Sequence, residues 1–339
     1  MSLNKRLIET KTAGEEAKFA VTTWTGNATS GSDTRDINVG FAPDIYWIRG
    51  RNYNTNVIIN RVRGGGKGLY PHTSQPEATD RTEVLQDTGI QLVGTSVNYN
   101  GETSVMWSWG GGTTEETNTD GSITTTIRAN KAAGYSVIEY TGNGTQGATI
   151  GHGLDSAPEF FVIKNLDNTA QTESFNVYNV VSGNSKYLFL NSDTAGGTTT
   201  AYDNTTPSSS TISIGNYSGV NYSGDKLVCF AFHSVSGYSK IGSYTGSGSS
   251  GNAQNIGFQP DMVIIKSTTH QYNWNIYDTK RPSGSLTGRY LLIANSSGTE
   301  ITSSTVYIDI TSTGFSFPNA YDGTNKSGQT FLYMAWKIT

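Results

Sequence analysis

Arg61-Val-Arg-Gly-Gly-Gly-Lys-Gly68 is the stretch of this sequence that comes nearest to a phosphate cradle. A P-loop needs G-x-x-x-x-G-K-[ST] between a strand and a helix, so that backbone amides surround the phosphate and the lysine reaches it. Here arginine fills the first glycine position and glycine the hydroxyl position, so the stretch reads as a hairpin turn. His72, His152, His233 and His270 share no metal-ligand spacing, and no D-x-[DN]-x-[DN]-G loop offers oxygens to calcium. Cys229 has no neighbouring base to make it a nucleophile. A glycosidase needs two carboxylates about 5–10 Å apart. The acids that recur, Asp44, Glu159 and Asp261, each follow a strand-opening proline and read as structural, and Glu115-Glu116 has no counterpart elsewhere. No catalytic residue, metal or cofactor is therefore expected. Binding chemistry is left. Tyr99, Tyr217, Tyr222, Tyr272 and Tyr321 lie at or near turns, many of them Asn-rich, where an aromatic face beside an amide can hold a sugar by stacking and hydrogen bonding.

The elements that would position those tyrosines occur three times. A strand ending in an aromatic and Thr-Gly runs Phe19–Gly26, again Tyr135–Gly142 and again Ser239–Gly246. A proline, an acid, an apolar run and a base follow as Pro43–Arg49, Pro158–Lys164 and Pro260–Lys266. Each copy closes with Asn-x-x-Gly and a strand: Asn98 with Val105, Trp107 and Trp109; Asn221 with Val228, Phe230 and Phe232; Asn325 with Leu332, Met334 and Trp336. Repetition at a fixed register marks a repeated structural module. Proline opens strands because it has no amide to donate. The apolar run behind it predicts a central strand buried on both faces, and the closing strand's period of two predicts one core-facing side. Tyr187-Leu-Phe-Leu-Asn191 aligns with Tyr290-Leu-Leu-Ile-Ala294, each entered by a base, Lys186 or Arg289, with Lys67 in the same place in the first copy.

Composition agrees with many short strands. Forty glycines and an aromatic fraction of 11% accompany only 15% charged residues, which suits tight reversals between β-branched and aromatic segments. The expected fold is all-β: three tandem homologous β-sandwich or jelly-roll domains, at residues 19–112, 133–235 and 236–339, behind a polar N-terminal leader, 1–18. Residues 113–132 read as a Thr-rich connector that lets the first domain take its own orientation, and the three domains as rigid bodies displayed in series. A net charge of −4 gives nucleic acid nothing to bind, no apolar stretch approaches the roughly 18 residues that span a bilayer, and the N-terminus has no apolar core of a signal peptide. One cysteine excludes an intrachain disulfide.

Gly237–Gly246, Gly257–Lys266 and Tyr290–Ser296, together with Asn118–Thr124 and Met1–Ile8, resemble a repeated domain of tail-fibre-like structural proteins of marine bacteriophages, those of cyanobacteria in particular. The resemblance is densest in the third copy and weakest in the first. It implies a virion structural role and a lectin-like β-sandwich. On that footing the protein is expected to be a non-enzymatic tail-fibre or receptor-contact component, attached to other virion proteins through its N-terminal part. It is expected to meet a host-surface glycan and to work as a homo-oligomer, a trimer, because multivalency amplifies weak contacts. The alternative is a capsid decoration protein with no specific receptor, and a depolymerase stands behind both.

Overall fold

The computed structural model describes residues 16–111, 113–167, 173–281 and 290–339. Most of the leader, 1–15, and Arg289 lie outside the described residues.

The protein is all-β, and its main sheets repeat one strand order. In the first copy the order is Lys18–Thr25, Thr103–Gly110, Pro43–Gly50, Asn56–Asn60. The second places Tyr135–Thr141, Lys226–Phe232, Phe160–Asn165 and Asn176–Asn179 in the same succession. The third does so with Ser239–Thr245, Thr330–Trp336, Met262–Ser267 and Asn275–Asp278. Every pairing is antiparallel. The strand behind each proline is buried along its length and flanked on both sides, as its unbroken apolar run requires. A smaller sheet covers one face of each: Thr34–Asn38, Gly89–Val93 and Val84–Gln86 in the first copy, Ala148–Gly151 with Thr211–Ile214 in the second, and Asn252–Asn255, Gly314–Phe317 and Asp309–Thr311 in the third.

The recurring motifs set the local geometry. Gly26, Gly142 and Gly246 sit so close to the Asn-x-x-Gly turn that a Cβ would lie 2.1, 2.2 and 2.1 Å from the carbonyl oxygens of Tyr99, Tyr222 and Lys326. The asparagine side chains of Asn98, Asn221 and Asn325 accept from the amides of Asn27, Asn143 and Ser247, fastening the opening strand to the closing one.

Alternation along the closing strand separates two cores. Met106 faces the first copy's own sandwich core; Leu227, Cys229 and Ala231 do so in the second, and Phe331, Tyr333 and Ala335 in the third. The intervening residues, Val105, Trp107 and Trp109 and their counterparts, all enter a single further core that the three copies share. At its centre the equivalent rings of Trp109, Phe232 and Trp336 meet, with centroids 6.2, 5.3 and 5.8 Å apart. A cavity of about 50 Å³ beside them is lined by apolar side chains of all three copies.

Display in series is therefore corrected: the copies close into a ring. Lys164 of the second copy donates to Ser74 O of the first, Lys266 of the third to Asp193 O of the second, and Arg49 of the first to Gly298 O of the third. Backbone bonds answer in the opposite sense, from Glu77 N of the first copy to Leu166 O of the second, Gly196 N of the second to Thr268 O of the third and Glu300 N of the third to Arg51 O of the first. Thr339 Oγ1 completes the circle, donating to Ala17 O and accepting from Phe19 N. The physical reason is the second apolar face of each main sheet. A sandwich core covers one face, and the other is removed from water only by the remaining two copies. The connector is corrected too. Glu116–Asn118 and Thr125–Asn130 extend the second copy's sheet, with Ile127 inside its core.

Burial pushes Lys164 and Lys266 down to about 8, opposed in part by Glu173 and Asp193 respectively. Between that value and the ordinary 10.5 the unfolded chain holds more protons than the folded one, so stability rises with pH across this window. Each lysine should contribute a rise of about 2 kcal/mol between pH 7 and 10. Urea titrations of wild type and a Lys164→Met/Lys266→Met variant at both pH values check this. The buried tyrosines, raised by burial, pull both proteins down alike near pH 10, so the difference between the two proteins should grow in favour of wild type by the lysines' share.

Candidate functional site

The recurring acids are consumed by architecture. Asp44 accepts from Thr113 Oγ1, Arg128 Nε and Tyr135 Oη at 2.5, 2.6 and 2.6 Å. Glu159 accepts from the amide and hydroxyl of Ser234, and Asp261 from Thr279 Oγ1 and the amide of Ile338. In each copy the carboxylate ties down the chain as it leaves the closing strand. Glu115 and Glu116 are exposed on the edge of the second copy's sheet. Among the described residues no three His, Cys, Asp or Glu side chains come together as a metal site. Cys229 is fully buried in the second copy's core, and burial drives its thiol upward, leaving it neutral. Desolvation lowers His72 and His152.

The five candidate tyrosines do not converge. Tyr99 and Tyr222 occupy equivalent turns of the first and second copies and are exposed; Lys326 takes that place in the third. Tyr272 and Tyr321 pack edge-on at 5.6 Å, with His270 5.9 Å from Tyr272, and burial followed by Tyr272 raises Tyr321. Tyr217 lines a groove of about 420 Å³, formed with Asn176, Tyr187, Phe189 and Thr198 to Thr200. The rings of Tyr187 and Phe189 lie 4.5 Å apart at 39°. Tyr217 is raised by burial first and then by the Glu173 carboxylate, which also accepts from Ser218 Oγ. The groove thus presents aromatic faces and a row of threonines, which is chemistry for stacking and hydrogen bonding an uncharged polyol ring, while the buried Asn176 Nδ2 is taken up by Ser174 O and Gly219 O.

Sequence alignment missed Tyr187, Phe189 and the threonines because it set Tyr187 against Tyr290. The ladders differ by one residue: Val177 pairs with Leu188 and Ile276 with Leu292, so Tyr290 corresponds to Lys186. The signal that fixes the register is the asparagine pair Asn191 and Asn295, whose side chains accept from the amides of Phe175 and Trp274. In the corrected register Tyr187 corresponds to the buried Leu291 of the third copy and Gly68 of the first, so the groove belongs to the second copy alone.

No curated protein and no solved structure matches this chain. One family model spans residues 15–338, running across all three copies and the shared core without a break. The chain is thus a member of the family described as Domain of unknown function (DUF7483).

Proposed function

We propose that the protein is a non-enzymatic glycan-binding component of a bacteriophage particle, a tail fibre or receptor-contact protein, and that the groove of the second copy holds the sugar. The observation that carries this reading is the break in threefold repetition. Side chains that recur are spent on closing turns and filling cores, whereas Tyr187, which stands where Leu291 and Gly68 stand, meets Phe189 and Thr198 to Thr200 in a polar-aromatic surface beside Tyr217, whose third-copy counterpart Tyr321 packs on Tyr272 instead. The groove occurs once per chain, so avidity for a host surface comes from several chains on one particle, and we propose a homotrimer. The virion setting rests on the resemblance of Gly237–Gly246, Gly257–Lys266 and Tyr290–Ser296 to tail-fibre-like domains.

Purified protein on an array of bacterial surface polysaccharides should bind a subset of them. Tyr217→Ala should weaken that binding about tenfold, the loss of roughly 1.4 kcal/mol of stacking and hydrogen bonding, while leaving the urea midpoint unchanged. Immunogold labelling of particles should decorate the tail. Binding that survives Tyr217→Ala intact removes the groove from the proposal, label on the capsid removes the fibre reading, and release of reducing sugar from a bound polysaccharide removes the non-enzymatic one.

A further inference from the structure

The three seams of the ring are built alike but filled differently. At the seam between the first and second copies, the Glu77 carboxylate pairs with the fully buried Arg63 guanidinium and lies 3.7 Å from Lys67 Nζ. At the seam between the third and first, Glu300 pairs with Arg281 at 2.9 Å and Arg51 at 2.9 Å. These sites are equivalent. The amides of Glu77 and Glu300 donate to Leu166 O and Arg51 O, eight residues beyond the strand-opening prolines Pro158 and Pro43. The amides of Arg63 and Arg281 donate to Asn60 Oδ1 and Asp278 Oδ1, and their guanidinium groups to Ile58 O and Ile276 O. A carboxylate held by two cations sits at both seams: all three groups belong to the first copy at one, and Arg51 reaches across to Glu300 at the other.

The remaining seam, between the second and third copies, keeps the backbone and drops the pair. Gly196 N donates to Thr268 O, so Gly196 stands where Glu77 and Glu300 stand. Ser182 N donates to Asn179 Oδ1, so Ser182 stands where Arg63 and Arg281 stand. In place of the ion pair there is a cavity of about 350 Å³, lined by Ser182, Lys186 and Gly196 from one side and Thr268, Thr269 and Thr330 from the other. One cationic donor remains at it: Lys186, the counterpart of Lys67 in the corrected register, which among the described residues has no carboxylate partner and donates to Thr198 Oγ1 at 3.3 Å.

We infer that this seam is a binding site for a small hydroxylated carboxylate, whose carboxyl group takes the place of the missing glutamate. Lys186 supplies the charge, and the hydroxyls of Ser182, Thr268, Thr269 and Thr330 meet the ligand's own. The site adjoins the copy-two groove through the hydrogen bond from Lys186 to Thr198, and its recognition of a carboxylate does not rest on what that groove binds: Tyr217→Ala, which touches the groove alone, should leave glucuronate binding unchanged.

D-Glucuronate serves as the probe and methyl β-D-glucoside as its neutral control, with isothermal titration and ligand-observed NMR on the full chain. Glucuronate should bind wild-type protein at least tenfold more tightly than the glucoside, and Lys186→Gln should erase that preference. Ser182→Arg/Gly196→Glu should restore the ion pair of the other seams, abolish glucuronate binding and raise the melting temperature. Gly196 has an ordinary φ, and its added Cβ would lie 3.3 Å from Thr268 O and Tyr187 O, needing a shift of a few tenths of an ångström. Absence of glucuronate binding to wild-type protein, equal binding of the glucoside, or binding that survives Lys186→Gln or the folded double variant overturns the inference. Should the double variant fail to fold, Lys186→Gln decides alone.

Discussion

Replacing Trp336 with alanine should destabilise the whole chain by about 4 kcal/mol, as deletion of a large buried aromatic does, and all three copies should still unfold in one transition. Its ring, 4% exposed, lies 5.3 Å from Trp109, 5.8 Å from Phe232 and 6.2 Å from Phe19, so its removal leaves a void against the other two copies as well as its own. Copies that owned only their sandwich cores would respond locally, and the third would melt ahead of the others. Urea unfolding followed by tryptophan fluorescence, with hydrogen exchange resolved by copy, separates the outcomes. Exchange protection lost from residues 236–339 alone would show that the shared core does not couple the ring.

Asp44→Ala is expected to cost about 3–5 kcal/mol, because it strips a buried charge of its partner. The Asp44 carboxylate is 1% exposed and that of its partner Arg128 only 14%; Thr113 and Tyr135 lose their acceptor in the same step. This cluster joins the first copy to the strand that leads into the second, so limited proteolysis should open first within residues 113–132. A double variant, Asp44→Leu/Arg128→Met, should recover much of the loss, since an apolar pair of similar size often replaces a buried ion pair without penalty. A single variant as stable as wild type by urea denaturation would place the hold on that segment elsewhere, in the Asn130 side chain's bonds to Glu16 O and Gly110 O.

The all-β fold, the proline-led central strands and the structural use of Asp44, Glu159 and Asp261 were legible because the same residue types recur at the same spacing, which marks side chains committed to architecture even where their partners lie far along the chain. Ring closure was not read, although its trace is present. Leu227-Val-Cys-Phe-Ala-Phe232 is apolar at odd and even positions alike, the pattern of a strand with protein on both faces. Taking only Val228, Phe230 and Phe232 as core-facing left Cys229 and Ala231 without a role and assigned each sheet one partner where it has two. The groove was hidden for a different reason. Tyr187 and Tyr290 match by eye, but register is fixed by Asn191 and Asn295, and a slip of one residue moves a side chain to the opposite face. Of the tyrosines singled out by their turns, Tyr217 alone reached the groove, since proximity to a turn says nothing about which neighbouring copy or sheet lies beside it.

Joining three like modules end to end through Val235 and the strand at Thr125–Asn130 has a consequence for dilute conditions. Three separate polypeptides held by the same aromatic triad would dissociate as their concentration fell below the dissociation constant of that contact. In a single polypeptide the partners cannot drift away, and the effective local concentration of each for the others is set by the length of chain between them. The assembly therefore survives at the scarcity of a few molecules in a large volume, and each module is free to diverge on its outer side without losing its place.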